Sequence, residues 1–404
     1  MLLIWDIHIN SKIKMDLLFT LREFVQAHPE EKNLIFLWDF VYHFSYDRSA
    51  LLSLFEWFLE LYAQGRSLYI LAGNHDWLGN SFVFEEGKRV FDLLESSSSA
   101  GKLNFITEPM LTEIEGEKIL FLPFCLDIDE NKYPEYQLGS SLLTEALLQS
   151  KDKNELFSGK INQLLNWYIK QEKKLTIIHH YYTNKQQFPW YLSSFSFKDI
   201  ALSEQLLDNS DIKLISGHLH APFVFKNYFC AGSVWATSPL EMNQVKGLWT
   251  WRDGQLWFFE QQVNSYFQIE QSRPVVAQDV EKIHEECLEF LKKQFENQNF
   301  FPLWAFEKQV LNLKKTTLNL KVEQLNYDQV NSVIDDQLRE QLADFRLKKS
   351  TKKVNDLLEK LETPDKDSLL TFGWWKELLR DFLNKQYPEE YTAYEKTLKE
   401  LKIL

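Results

Sequence analysis

Six apolar runs in the first 220 residues constrain this chain more than any other feature. They read MLLIWDIHI, NLIFLWDF, SLYILAGN, KILFLPF, KLTIIHHYY and IKLISGHL, and all but KILFLPF close on an acid, an amide or a histidine. Short apolar runs rich in β-branched and aromatic residues predict buried strands. Between the second and third, ALLSLFEWFLELYAQG carries its apolar residues at helical spacing and stops at Gly65. Strands alternating with helices predict an α/β fold of layered sheets flanked by helices. In such folds ligands gather at the carboxyl ends of the strands.

Five short motifs occupy those ends: Asp6-Ile7-His8, Asp39, Gly73-Asn74-His75-Asp76, His179-His180 and Gly217-His218-Leu219-His220. Six of the nine histidines fall within them, and only His28, His43 and His284 lie outside. Carboxylate, imidazole and amide oxygen together suit divalent Mn, Fe and Zn. Alternate residues of a strand point the same way, so D-x-H and H-x-H each send two donors to one side. Singly, each motif competes with a bland reading. D-x-H is a common chance match, G-N-H-D fits a turn, and paired histidines often split between core and surface. Their ordered recurrence at strand ends makes coincidence a poor account.

This ordered set resembles the calcineurin-like metallophosphoesterases over about residues 1–260. The resemblance implies two divalent metal ions, Mn²⁺ first, with Fe²⁺, Zn²⁺ or Mg²⁺ as alternatives. Asp6, His8, Asp39 and His220 would hold one ion. Asp39 would bridge to a second, held by Asn74, His179 and His218. His179 is taken from the pair because the family's ligand directly follows the apolar run, with His180 as its neighbour. His75 would serve as general acid and Asp76 would orient a histidine. The family's usual G-D-x-x-[DH] pattern reads WDFVYHF here, which puts His43 one residue late.

After His220 the runs VFKNYFCAG, GLWTWRDG and QLWFFEQ predict hairpins that finish a sheet. The stretch containing Gly232, Ser233, Ser238, Glu241, Lys246 and Gly247 resembles SbcD-type DNA repair nucleases. That implies DNA as substrate, a role in DNA repair or recombination, and an SbcC-type coiled-coil ATPase as partner; a homodimer is also expected. Near residue 271 the character changes to the helical QDVEKIHEECLEFLKKQFE, the strand-like KTTLNLKVEQL and a long charged helical stretch. The expected organisation is a catalytic domain over 1–270, a small α/β cap over 271–335 and a helical, partner-binding region over 336–404. The competing readings are a small-molecule or phosphoprotein phosphoesterase with a C-terminal lid, and a non-catalytic scaffold.

The bulk numbers narrow the setting. A length of 404 residues suggests two or three domains, and no stretch reaches 18 apolar residues, so no membrane span is expected. MLLIWDIHIN has no basic lead, unlike a signal peptide. Cys125, Cys230 and Cys287 stand far apart, which disfavours a disulfide framework and fits the cytoplasm. Net charge is −13; residues 271–404 hold 22 Lys+Arg against 24 Asp+Glu, leaving 23 against 34 in residues 1–270. That acidity sits uneasily with DNA unless bound cations or a partner offset it.

Trp5 and Trp38 directly precede Asp6 and Asp39, where the family carries a small residue, and Trp235 adds a third bulky group. Glycine makes up 13 of 404 residues, below the usual ~7%, and tryptophan equals it at 13. One reading joins both facts: some tryptophans are native glycines, encoded by UGA in an organism that reads that codon as glycine. The other is an aromatic-rich branch whose strands have shifted to fit.

Overall fold

The computed structural model of the chain describes residues 1–37, 39–41, 48–78, 81–85, 87–88, 101–125, 128, 153–183, 200–238, 241–270, 275–322, 334 and 336–349. Trp38 and His43 lie outside the described residues, as does the part beyond 349 of the region expected to bind a partner. No helix among the described residues is long and apolar enough to cross a membrane.

Two sheets form the centre. One has seven strands, ordered Leu303–Glu307, Gln255–Glu260, Gly247–Arg252, Leu2–Trp5, Asn33–Leu37, Ser67–Leu71 and Lys102–Ile106. Its last four strands are parallel neighbours. The other has six, ordered Phe223–Phe225, Tyr228–Cys230, Ile212–Ser216, Leu175–His179, Glu117–Leu122 and Met110–Ile114. Ile212–Ser216 and Leu175–His179 run parallel at its middle.

Strand periodicity decides where each side chain goes. Leu3, Trp5, Ile35 and Leu37 of the first sheet pack with Ile119, Phe121, Ile178 and Ile215 of the second, forming a core between the sheets. The alternate residues Leu2, Ile4, Leu34 and Phe36 face outward onto Leu17 and Leu21 of helix Lys14–Ala27 and Trp57 and Phe58 of helix Arg48–Ala63. On the far side Leu120, Leu175, Ile177 and Leu214 meet Ile161 and Leu165 of helix Lys153–Gln171. The result is helix, sheet, sheet, helix. Each large apolar side chain so buried contributes about 1.5–3 kcal/mol.

Trp5 belongs to the inter-sheet core, fully buried, with its ring edge-on to Phe229 at 6.2 Å. The side chain before Asp6 therefore drops into the core. In a chain that carries Trp5, Trp5→Gly is expected to cost at least the ~3–5 kcal/mol of a Trp→Ala truncation, read as a lower thermal midpoint. A glycine variant that is equally stable and binds metal better would instead mark position 5 as a glycine site, as recoding requires.

Residues 275–322 and 336–348 belong to the core unit, which comprises Met1–Val322 and Asn326–Lys348. Ser265–Glu270 pairs with Thr316–Val322 across the expected boundary, and Leu303–Glu307 joins the seven-stranded sheet. Asp344–Lys349 completes a three-stranded sheet with the first pair. Leu338 is buried with Phe267, Leu318 and Leu320. A cut at 335 would strip both the third strand and Leu338. Truncation after Lys349 is instead expected to leave a folded core that keeps its metals, while a cut at 335 lowers the melting temperature. Equal melting curves for the two truncations would contradict this.

Candidate metal centre

The parallel strands of both sheets end at one edge, and the loops that follow carry the motifs. Backbone bonds lock these loops to each other. The Asp6 N–H donates to Leu37 O at 3.0 Å and the His8 N–H to Asp39 O at 2.7 Å. Across the sheets the His218 N–H donates to Asp6 Oδ2 at 3.0 Å. Four of these residues adopt left-handed backbone: Asp6 (φ 34°), His8 (φ 42°), Asp39 (φ 48°) and His218 (φ 69°). Such conformations are uncommon outside glycine and cost energy that the surrounding fold must supply. Glu115, Lys226, Asn243, Asp253 and Asn297 share that conformation elsewhere, but these four stand together at one edge.

Two groups of donors face each other there. In the first, His8 Nε2 lies 3.0 Å from His220 Nε2. His8 Nδ1 lies 3.3 Å from Val41 O and His220 Nδ1 lies 2.8 Å from Glu241 Oε1. Carbonyl and carboxylate only accept, so both rings spend their Nδ1 protons there and turn lone pairs on Nε2 toward each other. Two lone pairs so placed call for a cation between them. Nitrogens bound at about 2.1 Å to one ion at a right angle sit about 3 Å apart. Asp6 Oδ1 is buried with no hydrogen-bond partner among the described residues, a further oxygen suited to a cation.

In the second group His180 Nε2 stands 2.6 Å from Asn74 Oδ1 and 3.1 Å from His218 Nδ1. Asp39 joins the two groups. Its Oδ2 is 3.3 Å from His180 Nε2 and 3.7 Å from His8 Nε2. Ligand atoms of Asp39, His180 and His218 all lie within 4.8 Å of one another. The donor set fits two divalent ions with Asp39 between them.

The histidine pair requires a correction: the structure brings His180, not His179, to this cluster. His179 ends its strand in register with Leu175 and Ile177, which face the helix side. Its ring accordingly lies 5.8 Å from that of Tyr228, and its Nδ1 accepts the Tyr181 N–H at 3.3 Å. His180 continues the face of Ile178, toward the inter-sheet side. Counting alternate positions from Ile178 would have selected it.

Asp76 binds backbone groups of two of these loops. Its carboxylate is fully buried and accepts the backbone N–H groups of Phe40 at 2.7 Å and Gly73 at 2.8 Å. It fastens the Asp39 loop to the Asn74 loop. His75 donates its backbone N–H to Asp39 Oδ1 at 3.0 Å, and its Nε2 lies 4.0 Å from Asp39 Oδ2. With 19% of its side chain accessible, it is open to a bound ligand.

Electrostatics agree with a crowded polar centre. Burial pushes the Asp39 carboxyl up, but His180, His8 and His75 outweigh it and hold the group well below the usual range. Asp6 is raised well above that range by burial and by Asp39. Burial and the neighbouring His220 lower His8 to about 3, and burial with His180 lowers His218 well below an ordinary imidazole. Neutral imidazoles are the form that binds metal.

Trp235 has a structural task, since its indole N–H donates to Ile7 O at 2.6 Å, between Asp6 and His8. Gly232, with φ 78°, lies against Pro222 and the His220 carbonyl, where a Cβ would meet both within 2.9 Å.

No curated protein matches the chain. The calcineurin-like phosphoesterase family matches it over residues 2–222, a span that carries every strand-end motif. With more than half of its 404 residues so matched, the chain belongs to the calcineurin-like phosphoesterase family, whose members are metal-dependent hydrolases.

Proposed function

We propose that the chain is a dinuclear-metal phosphodiesterase, the nuclease subunit of a DNA repair or recombination complex with a coiled-coil ATPase of the SbcC type. The observation that carries this reading is the pair of donor groups bridged by Asp39, with Glu241 of the nuclease-like stretch bonded to His220. Asp6, His8 and His220 would hold one ion, Asn74, His180 and His218 the other, and Asp39 both. Bound divalent ions, Mn²⁺ foremost, would neutralise phosphoryl oxygens and lower the pKa of an attacking water. The chain's own residues do the rest. Asp39 and Asn74 fix the spacing of the two donor groups, and Asp76 keeps their loops from parting. His75 Nε2 supplies the proton taken by the leaving oxygen as the P–O bond breaks.

DNA as substrate rests on the resemblance of residues 232–247 to SbcD-type nucleases. The excess of acid in residues 1–270, 34 Asp+Glu against 23 Lys+Arg, favours a partner that supplies much of the phosphate-binding surface. The same acidity supports a second reading, a phosphoesterase for small molecules or phosphoproteins. A cytoplasmic setting and a homodimeric state complete the proposal. The test is degradation of linear duplex DNA in Mn²⁺, with and without the coiled-coil ATPase from the same genome. Digestion that strengthens with the partner and ATP is expected. Turnover of small phosphate esters with no digestion of DNA under any of these conditions would overturn the nuclease reading.

A further inference from the structure

We infer that Glu241 is a positioning residue for the first metal group: it fixes His220 in the tautomer whose Nε2 is free to bind metal. This rests on the metal-centre reading above. Glu241 lies beyond the family match, 21 residues after His220, yet its Oε1 accepts from His220 Nδ1 at 2.8 Å. The carboxylate is buried and fully engaged. Lys246 Nζ donates to Glu241 Oε2 at 2.7 Å, to Ser233 Oγ at 3.0 Å and to the His220 carbonyl at 2.6 Å. Thr237 adds its backbone N–H to Glu241 Oε1 at 3.2 Å and its hydroxyl to the same oxygen.

A carboxylate at 7% residue exposure bound to an ammonium group at 3% is costly to desolvate and contributes little to net stability by itself. Its placement makes sense through what it grips. Lys246 holds both the Glu241 carboxylate and the backbone of His220, so the ring is fixed at its Nδ1 and at its own carbonyl. Metal-bound histidines commonly give their second N–H to such a group, and losing it weakens metal binding about 10–100-fold. Trp235 belongs to the same segment and grips the opposite ligand pair through Ile7 O. Trp235, Glu241 and Lys246 thus brace both sides of the first donor group.

Removing Glu241 alone would strand Lys246, so the test uses paired substitutions. E241Q/K246M keeps the strong acceptor for His220 Nδ1 with no buried charge, whereas E241M/K246M of similar volume leaves only the Thr237 hydroxyl, 3.2 Å from that nitrogen. Mn²⁺ affinity is measured by calorimetry on the full chain. E241M/K246M is expected to weaken the affinity of one of the two ions about 10–100-fold, and E241Q/K246M to recover most of that loss. Equal affinities for the two folded variants would overturn the proposal. Histidine ¹⁵N NMR of the metal-free wild type gives a second readout that needs no variant. His220 is expected as the Nδ1–H tautomer, and finding it as Nε2–H would overturn the proposal even if a variant fails to fold. A wild type that takes up no metal would overturn the metal-centre reading and this proposal together.

Discussion

Asp39→Asn is expected to reduce turnover by at least ~1,000-fold, because a metal site's electrostatic contribution of several kcal/mol corresponds to that factor. The substitution keeps the shape and one oxygen but removes the charge that serves both donor groups. Asp39 Oδ2 lies 3.3 Å from His180 Nε2 and 3.7 Å from His8 Nε2, between the two groups. The loss should appear in metal content as well as in rate, since an amide oxygen is a weaker bridge. Plasma emission spectrometry after dialysis against low Mn²⁺ checks this, alongside turnover of bis(p-nitrophenyl) phosphate. Asp39→Asn protein that retains two ions per chain and wild-type turnover would refute the bridging role.

His75→Ala separates chemistry from binding. The ring is within 4.0 Å of Asp39 Oδ2 yet outside both donor groups, and part of it is accessible. A general acid typically contributes 10²–10⁴-fold, so the rate should fall by about that factor while both ions stay bound. The effect should be smaller for substrates with good leaving groups, which need no proton. Loss of metal comparable to Asp39→Asn would make His75 a ligand instead.

The layered fold was legible because strand periodicity and helix periodicity alternate so regularly before residue 220. The strand-end motifs were legible for the same reason: a donor directly after an apolar run has only one edge to go to. Which member of His179-His180 turns inward depends on a single-residue register, and a period of two makes that choice all or nothing. The bonds from the backbone N–H groups of Phe40 and Gly73 to Asp76 were not legible, because backbone partners leave no trace in side-chain pattern. The Glu241–His220 contact spans 21 residues and two loops, so spacing alone could not pair them. The junction at 270 read as a boundary because composition changes there, yet Ser265–Glu270 pairs with Thr316–Val322 across it. Composition reports the solvent face of a segment, and strand pairing is decided by its edges.

The most direct measurement of the two-ion centre is the metal content of three folded proteins: wild type, His180→Ala and His179→Ala. Each is loaded with Mn²⁺, dialysed and assayed for ions per chain. The wild type is expected to hold two. His180→Ala should fall to about one, because its Nε2 stands among Asn74, His218 and Asp39. His179→Ala should keep two, since its ring packs beside Tyr228 on the other face of the strand. Two ions in His180→Ala with one lost from His179→Ala, or none in the wild type, would contradict the account.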